Sequence, residues 1–260
     1  MTIFDRPSPA TERPELSGPE HWHTIRTQAP RWRPPDRPTT VVVPHPDDEA
    51  LLFGGLLEGL CRQGTPVDVV AVTDGEVAYE GADERRLAAQ RRREQQASLE
   101  VLGLAPSRIR HLGLPDGNVA TYTDELTAAI VDCGNAVVVA PWRHDHHCDH
   151  EACGRAARAA ASVLNGELFG GLFWAWHRTP TAAFAGHRLV ALDLGETAWR
   201  RRRRALEQHR SQLERDEGTP VLTDELLEPI RWRREYYVVE EPMGTPDAQT
   251  AAARASRWPA

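Results

Sequence analysis

Two short stretches of this chain concentrate residues able to do chemistry. The first is Pro44-His45-Pro46-Asp47-Asp48-Glu49, with one histidine and three carboxylates inside five residues. The second, residues 143–150, has four histidines and two aspartates within its last seven residues. One nitrogen and one carboxylate from the first stretch, joined by one nitrogen from the second, make a two-histidine, one-carboxylate set. With a position left open for water, that is the ligand set of a catalytic divalent site, commonly zinc. A metal held this way lowers the pKa of water towards neutrality, and a neighbouring carboxylate can serve as general base. His45 and Asp48 are three residues apart, so they turn to one side as a helix begins, while Asp47 points differently, towards the water. Glu49 suits the N-terminus of that helix whatever the function, or else supports the site from behind.

Spacing leaves the second stretch open. His144 and His147 are three apart, as are His147 and His150, and His146 and His150 are four apart, so each pair can share one helical face. A closed structural zinc that recruits Cys148 or Cys153 also satisfies the spacing.

Elements at the right places must bring the two stretches together. Val41-Val42-Val43 and residues 136–140 are short, purely apolar runs, the pattern of parallel strands buried on both faces. Each runs straight into one of the polar stretches. Strands are predicted at 40–43, 66–72, 108–112, 136–140, 168–176, 188–194 and 235–240. Helices are predicted at 49–62, 83–102, 123–132, 151–164, 196–212 and 223–227, and Gln63-Gly64 is a helix stop. The alternation implies an α/β fold: a Rossmann-like, mostly parallel sheet with helices on both faces, plus a C-terminal strand/helix extension. In such sheets ligands sit at the carboxyl ends of strands. The polar turns 44–49, 73–76, 114–118 and 143–150 should therefore gather on one rim.

Composition narrows the function further. A net charge of −7 offers no electrostatic case for nucleic-acid binding, and the run Arg200 to Arg204 reads as a solvated helix face. No apolar run approaches the ~20 residues of a membrane span, and no signal peptide is visible. With four cysteines and no CxxC pair, the expected compartment is the reducing cytoplasm. No GxGxxG follows the first strand, and neither GxxxxGK[ST] nor GxSxG occurs, which argues against nucleotide binding and a nucleophile-elbow serine hydrolase. Residues 1–38 hold 8 of the 20 prolines and read as an irregular arm, with a short helix near residues 19–27 and Trp22 and Trp32 packing on the domain. Residues 39–240 form one catalytic domain and 241–260 a tail.

With these residues in view, the chain resembles the zinc-dependent N-deacetylases that include LmbE-like proteins, N-acetylglucosaminyl-phosphatidylinositol deacetylases, and the deacetylases of mycothiol and bacillithiol synthesis. Residues 44–49 match that family's PHPDDE without change, and His147-Cys148-Asp149-His150 matches its HPDH with cysteine in place of proline. Further matches are Thr73-Asp74-Gly75-Glu76, the helix with Arg91, Glu94 and Leu102-Gly103, Leu114-Pro115-Asp116-Gly117, and Ser211-Gln212. The resemblance covers roughly residues 39–240. It implies that His45, Asp48 and His150 bind zinc, or another divalent metal such as iron(II). Asp47 would be the general base. His147 would stabilise the tetrahedral oxyanion and protonate the leaving amine. Arg91 and Asp116 would contact sugar hydroxyls, and Trp174, Trp176 and His177 are candidates for the pocket wall. Cys148 places an oxidisable thiol beside the metal.

The function expected is hydrolysis of the acetamide of an N-acetylated amino sugar or glycoconjugate. Its rivals are deacylation or ester hydrolysis on the same metal site, and a metal- or partner-binding protein without catalysis.

Overall fold

The computed structural model describes residues 19–179, 181–215 and 218–241. The proline-rich arm up to residue 18 and the tail from residue 242 lie outside the described residues.

Seven strands form one sheet. They are β1 (Thr39–Val43), β2 (Val67–Thr73), β3 (Ile109–Leu114), β4 (Val137–Pro141), β5 (Glu167–Gly171), β6 (Arg188–Asp193) and β7 (Arg234–Glu240). Their order is β3-β2-β1-β4-β5-β7-β6. The neighbours from β3 through β5 pair in parallel, and β7 runs antiparallel to both β5 and β6. The expected α/β sheet, mostly parallel with a C-terminal extension, is what the chain forms. The strand sequence reverses direction between β1 and β4, so the crevice at their carboxyl ends is where this topology places a ligand.

The helices are α1 (Pro19–Gln28), α2 (Asp48–Gln63), α3 (Glu84–Leu102), α4 (Thr123–Asp132), α5 (Cys148–Val163), α6 (Ala175–Arg178), α7 (Glu196–Leu206), α8 (Arg210–Leu213) and α9 (Glu228–Arg231). Alternate residues of each strand feed opposite layers. Val41, Val43, Val69 and Val139 pack with Leu56 and Leu57 of α2 and Leu99 of α3. Val42, Val70 and Val138 pack with Leu126 and Ile130 of α4 and the alanine face of α5. Alanine at 152, 156, 157, 160 and 161 lets α5 lie close to the sheet.

Three elements differ from the sequence expectation. The strand predicted at 168–176 stops at Gly171, and the chain turns into α6, because the Asp145 carboxylate gathers the backbone N–H groups of Phe173, Trp174 and Ala175 at 3.0, 3.2 and 2.9 Å. The helix predicted at 196–212 breaks before His209, whose side chain turns inward. At 223–227 there is a turn, with Thr223 accepting the N–H of Leu227 at its carbonyl, and the helix follows at α9.

The arginine run is also not uniformly solvated. Arg202 is buried, donating to the Ala50 and Leu51 carbonyls at 3.0 and 2.6 Å and pairing with Glu235. Gly54 makes room for it, since a Cβ there would lie 2.7 Å from Arg202 Cγ. Arg200 and Arg201 pair with Glu196 and Glu58. Trp22 and Trp32 do pack on the domain, against Trp176 and Phe184 and against Phe169 and Tyr237. Among the described residues no helix is long and apolar enough to cross a membrane. All four cysteines are free.

Candidate metal centre and active site

β1 ends at Val43, and the next residues cross the sheet's rim before α2 starts. Residues 44–47 bend and turn there, with the Asp48 N–H donating to the His45 carbonyl at 3.2 Å. Asp47 closes the turn with φ 132° and ψ −28°, outside the ordinary basins of a residue bearing a Cβ. β4 ends at Pro141, and a turn leads to His147, which caps α5 by accepting the Asp149 N–H at Nδ1, 3.3 Å away. The two polar stretches meet across the β1–β4 crevice.

His45 Nδ1 lies 3.0 Å from Asp48 Oδ2, and His150 Nε2 lies 3.2 Å from the same oxygen. The three side chains anticipated as ligands thus converge on one point, buried by α2 and α5. The far nitrogen of each ring is held by a carboxylate. His45 Nε2 is 3.2 Å from both Asp116 and Asp149, and His150 Nδ1 is 2.8 Å from Asp145. Carboxylates behind ligating histidines fix the ring and its tautomer, and this is the usual surrounding of a metal centre. His144 and His146 are exposed, His146 with φ 58°, and both lie outside the convergence.

The electrostatics fit a cation here. Burial works against a charged His150, yet the Asp48 and Asp145 carboxylates raise it to about 9. His45 is likewise raised well above the ordinary range, against burial, by Asp116, Asp149 and Asp48. Burial pushes Asp48 up, but His150 and His45 hold it far below the usual carboxylate range. The carboxylates around the two rings favour positive charge at this point. Two imidazole nitrogens and a carboxylate oxygen suit zinc or iron(II). Cys153 is fully buried within the α5 side of the core, packed among apolar residues.

Asp47 and His147 flank this point. The Asp47 carboxylate accepts from Arg91 Nη2 at 3.1 Å, and burial lifts it to about 7 against that pull. His147 is held well below the ordinary imidazole range by burial and by the neighbouring His150 and His45. Its Nδ1 accepts from α5, so in the neutral ring the proton is on Nε2, which makes that atom a hydrogen-bond donor. The His147 ring stacks on Trp174 with 6.1 Å between centroids.

Arg91 is buried and donates to the Gly75 and Pro46 carbonyls as well as to Asp47. Gly75 is required there, because a Cβ would come within 2.1 Å of Arg91 Nη1. Asp116 accepts the Val77 N–H while touching His45. Both line a cavity of about 40 Å³ with Asp47, His147, Trp174 and Gln212. Trp176 does not line it but packs in the aromatic cluster around Trp22, and His177 packs behind Phe173. Asp145, Asp149 and His209 went unassigned in the sequence reading. Asp149 accepts from the Gly117 and Val119 N–H groups at 2.7 and 3.1 Å, besides touching His45. No local spacing signals these contacts, although Asp145 and Asp149 lie inside the second stretch.

Residues 40–161 match the family described as PIG-L, GlcNAc-PI de-N-acetylase. A probable N-acetyl-alpha-D-glucosaminyl L-malate deacetylase 2 of Bacillus cereus is 30% identical over 140 residues, which are 50% of this chain and 63% of that protein. The match therefore spans less than two thirds of that relative's length. Among solved structures, the N,N'-diacetylchitobiose deacetylase of Pyrococcus horikoshii superposes with a TM-score of 0.58 at 20% identity, covering 82% of this chain and 88% of its own. GalB, a 4-carboxy-2-hydroxymuconate hydratase of Pseudomonas putida, superposes nearly as well, with a TM-score of 0.57 at 16% identity over 81% and 99% of the two chains. One fold thus carries a deacetylase and a hydratase, and the chemistry has to be argued from the site.

Proposed function

We propose that this chain is a metal-dependent N-deacetylase, with residues 39–240 as its catalytic unit, acting on the acetamide of an N-acetylated amino sugar or glycoconjugate. The observation that carries the reading is the convergence of His45 Nδ1 and His150 Nε2 on Asp48 Oδ2, with Asp47 and His147 facing the same cavity. His45, Asp48 and His150 would hold zinc or iron(II). When bound, the metal supplies a Lewis acid that polarises the acetamide carbonyl and makes water nucleophilic near neutral pH.

The chain's own residues do the rest. Asp47 takes a proton from the attacking water as oxygen bonds to the carbonyl carbon. The neutral His147 ring donates from Nε2 to the oxyanion that develops. A proton then passes to the nitrogen, the C–N bond breaks, and acetate and a free amine leave. Arg91 keeps Asp47 aimed into the cavity. The Asp116 backbone turn and Gln212 offer polar contacts to sugar hydroxyls. The named activities of the Bacillus and Pyrococcus relatives support an N-acetylated sugar as the substrate class.

Metal content by plasma mass spectrometry, on wild type and His150→Ala, with a free-amine assay on N-acetylglucosaminides, tests the reading. The expected result is about one metal per wild-type chain, lost in the variant together with amine release. Metal without amine release from any acetamide would direct the search to other acyl groups and overturn the deacetylase reading. No metal after reconstitution would overturn the mechanism.

A further inference from the structure

The reaction needs Asp47 in one backbone conformation, and four contacts hold it. Its carbonyl accepts the Ala50 and Leu51 N–H groups, each at 2.9 Å, which begins α2. Its carboxylate accepts from Arg91. Its own N–H donates to Glu49 Oε2 at 3.1 Å. A φ of 132° on a residue with a Cβ persists only when the surroundings over-determine it. The first two contacts come from α2 and the third from α3. The fourth comes from a side chain that must itself be held.

Glu49 is fully buried, and its other carboxylate oxygen lies 2.5 Å from His209 Nε2. His209 is also fully buried, 160 residues away in sequence, at the break between α7 and α8. Its Nδ1 has no hydrogen-bond partner, so the ring's single polar engagement is with Glu49. The break that turns His209 inward is pinned from outside. Glu94 of α3 accepts the Ser211 N–H at 3.0 Å and the Ser211 hydroxyl at 2.6 Å. Tyr79 donates its hydroxyl to the Ser211 carbonyl at 2.7 Å. One helix, α3, therefore grips Asp47 twice: directly through Arg91, and through Glu94, Ser211, His209 and Glu49 in series.

We infer that His209 is a positioning residue for the deacetylation proposed above, acting through Glu49 to hold Asp47 at its positive φ. It touches neither metal ligand nor cavity. Its donor at Nε2 fixes which oxygen of Glu49 faces the Asp47 N–H. Without that donor, Glu49 has a buried carboxylate with one unpaired oxygen and is free to turn away. Asp47 then relaxes to a negative φ, and its carboxylate leaves the line of attack.

The test compares His209→Leu, which removes the donor at similar bulk, with His209→Gln, whose amide nitrogen reproduces a donor near Nε2. Metal content, kcat and KM are measured on each, and both variants are crystallised. In His209→Leu the expected result is a fall in kcat of about 10²-fold, with KM within about 2-fold of wild type and metal content unchanged. His209→Gln should restore most of kcat. In a Glu49→Ala background, His209→Leu should add no further loss. The crystal structures should show Asp47 at positive φ in His209→Gln and at negative φ in His209→Leu. Equal kcat losses in both variants, or an unmoved Asp47 φ in His209→Leu, would overturn the inference. The crystallographic arm decides it even if wild type releases no amine, which would instead refute the deacetylase reading.

Discussion

Asp145 and His150 form a fully buried pair, with Oδ2 2.8 Å from Nδ1, and the same carboxylate accepts three backbone N–H groups from the turn after β5. The side chain that orients a ligand ring therefore also shapes the wall carrying Trp174, which stacks on His147. Replacing Asp145 by Asn keeps the size but puts an NH2 group among donors. Metal affinity should fall by about 10- to 100-fold, the usual cost of losing a carboxylate behind a ligating histidine. Competition with a chromogenic chelator measures it. Unchanged affinity would show that His150 is oriented by packing alone.

Arg91 is the counter-charge of a buried carboxylate. Arg91→Met leaves Asp47 unpaired, which should cost about 3–5 kcal/mol of stability, the range for breaking a buried ion pair by removing one partner. Gly75→Ala should reproduce part of the effect, because its methyl group meets the guanidinium and its φ of 65° is unfavourable for alanine. Urea unfolding of both variants tests this, and a Gly75→Ala protein as stable as wild type would remove the steric account.

Cys148 occupies the first turn of α5, where a missing N–H costs little. His147 before it already has φ −129° and ψ 130°, the extended region that a following proline demands. Cys148→Pro should leave kcat near wild type and add about 0.4–1 kcal/mol of stability by restricting the unfolded chain. It should also remove the reaction of the exposed thiol with thiol-modifying reagents, leaving that of the half-buried Cys61 and Cys133. A loss of metal on this substitution would mean that the thiol contributes to the site.

His177 gives a pH signature separate from the metal centre. Burial holds its ring below the usual range, against a smaller upward push from a hydrogen bond with the Leu226 backbone. Below pH ~6.5 the unfolded chain takes up a proton at this ring that the folded chain refuses. Its contribution to stability is therefore intact above pH ~6.5 and declines as the pH falls towards the folded value. Thermal unfolding of wild type and His177→Gln between pH 7.5 and 5 should show the wild type losing more stability on acidification. Parallel curves would place the proton uptake elsewhere.

Much of the molecule was written locally. Apolar runs such as Val41-Val42-Val43 specify buried parallel strands because a strand covered on both faces needs apolar side chains in both directions. The spacing of His45, Asp47 and Asp48 across a strand-to-helix turn decides which of them converge, since four residues of backbone leave little freedom. His147 and His150 were distinguishable from His144 and His146 only through the resemblance. The physical difference is burial at the start of α5, which depends on where that helix docks. The order β3-β2-β1-β4, which sets the two stretches on either side of one crevice, is a property of the assembled sheet. Asp145, Asp149 and the Glu49–His209 pair likewise owe their roles to side chains that meet after packing. A lone histidine beyond an arginine-rich helix has no periodicity that announces a partner 160 residues earlier. The sequence by itself determined the strands, the helices and the side chains able to do the chemistry. Only the tertiary structure decided which buried carboxylates orient them, because those contacts depend on packing between elements distant in the chain.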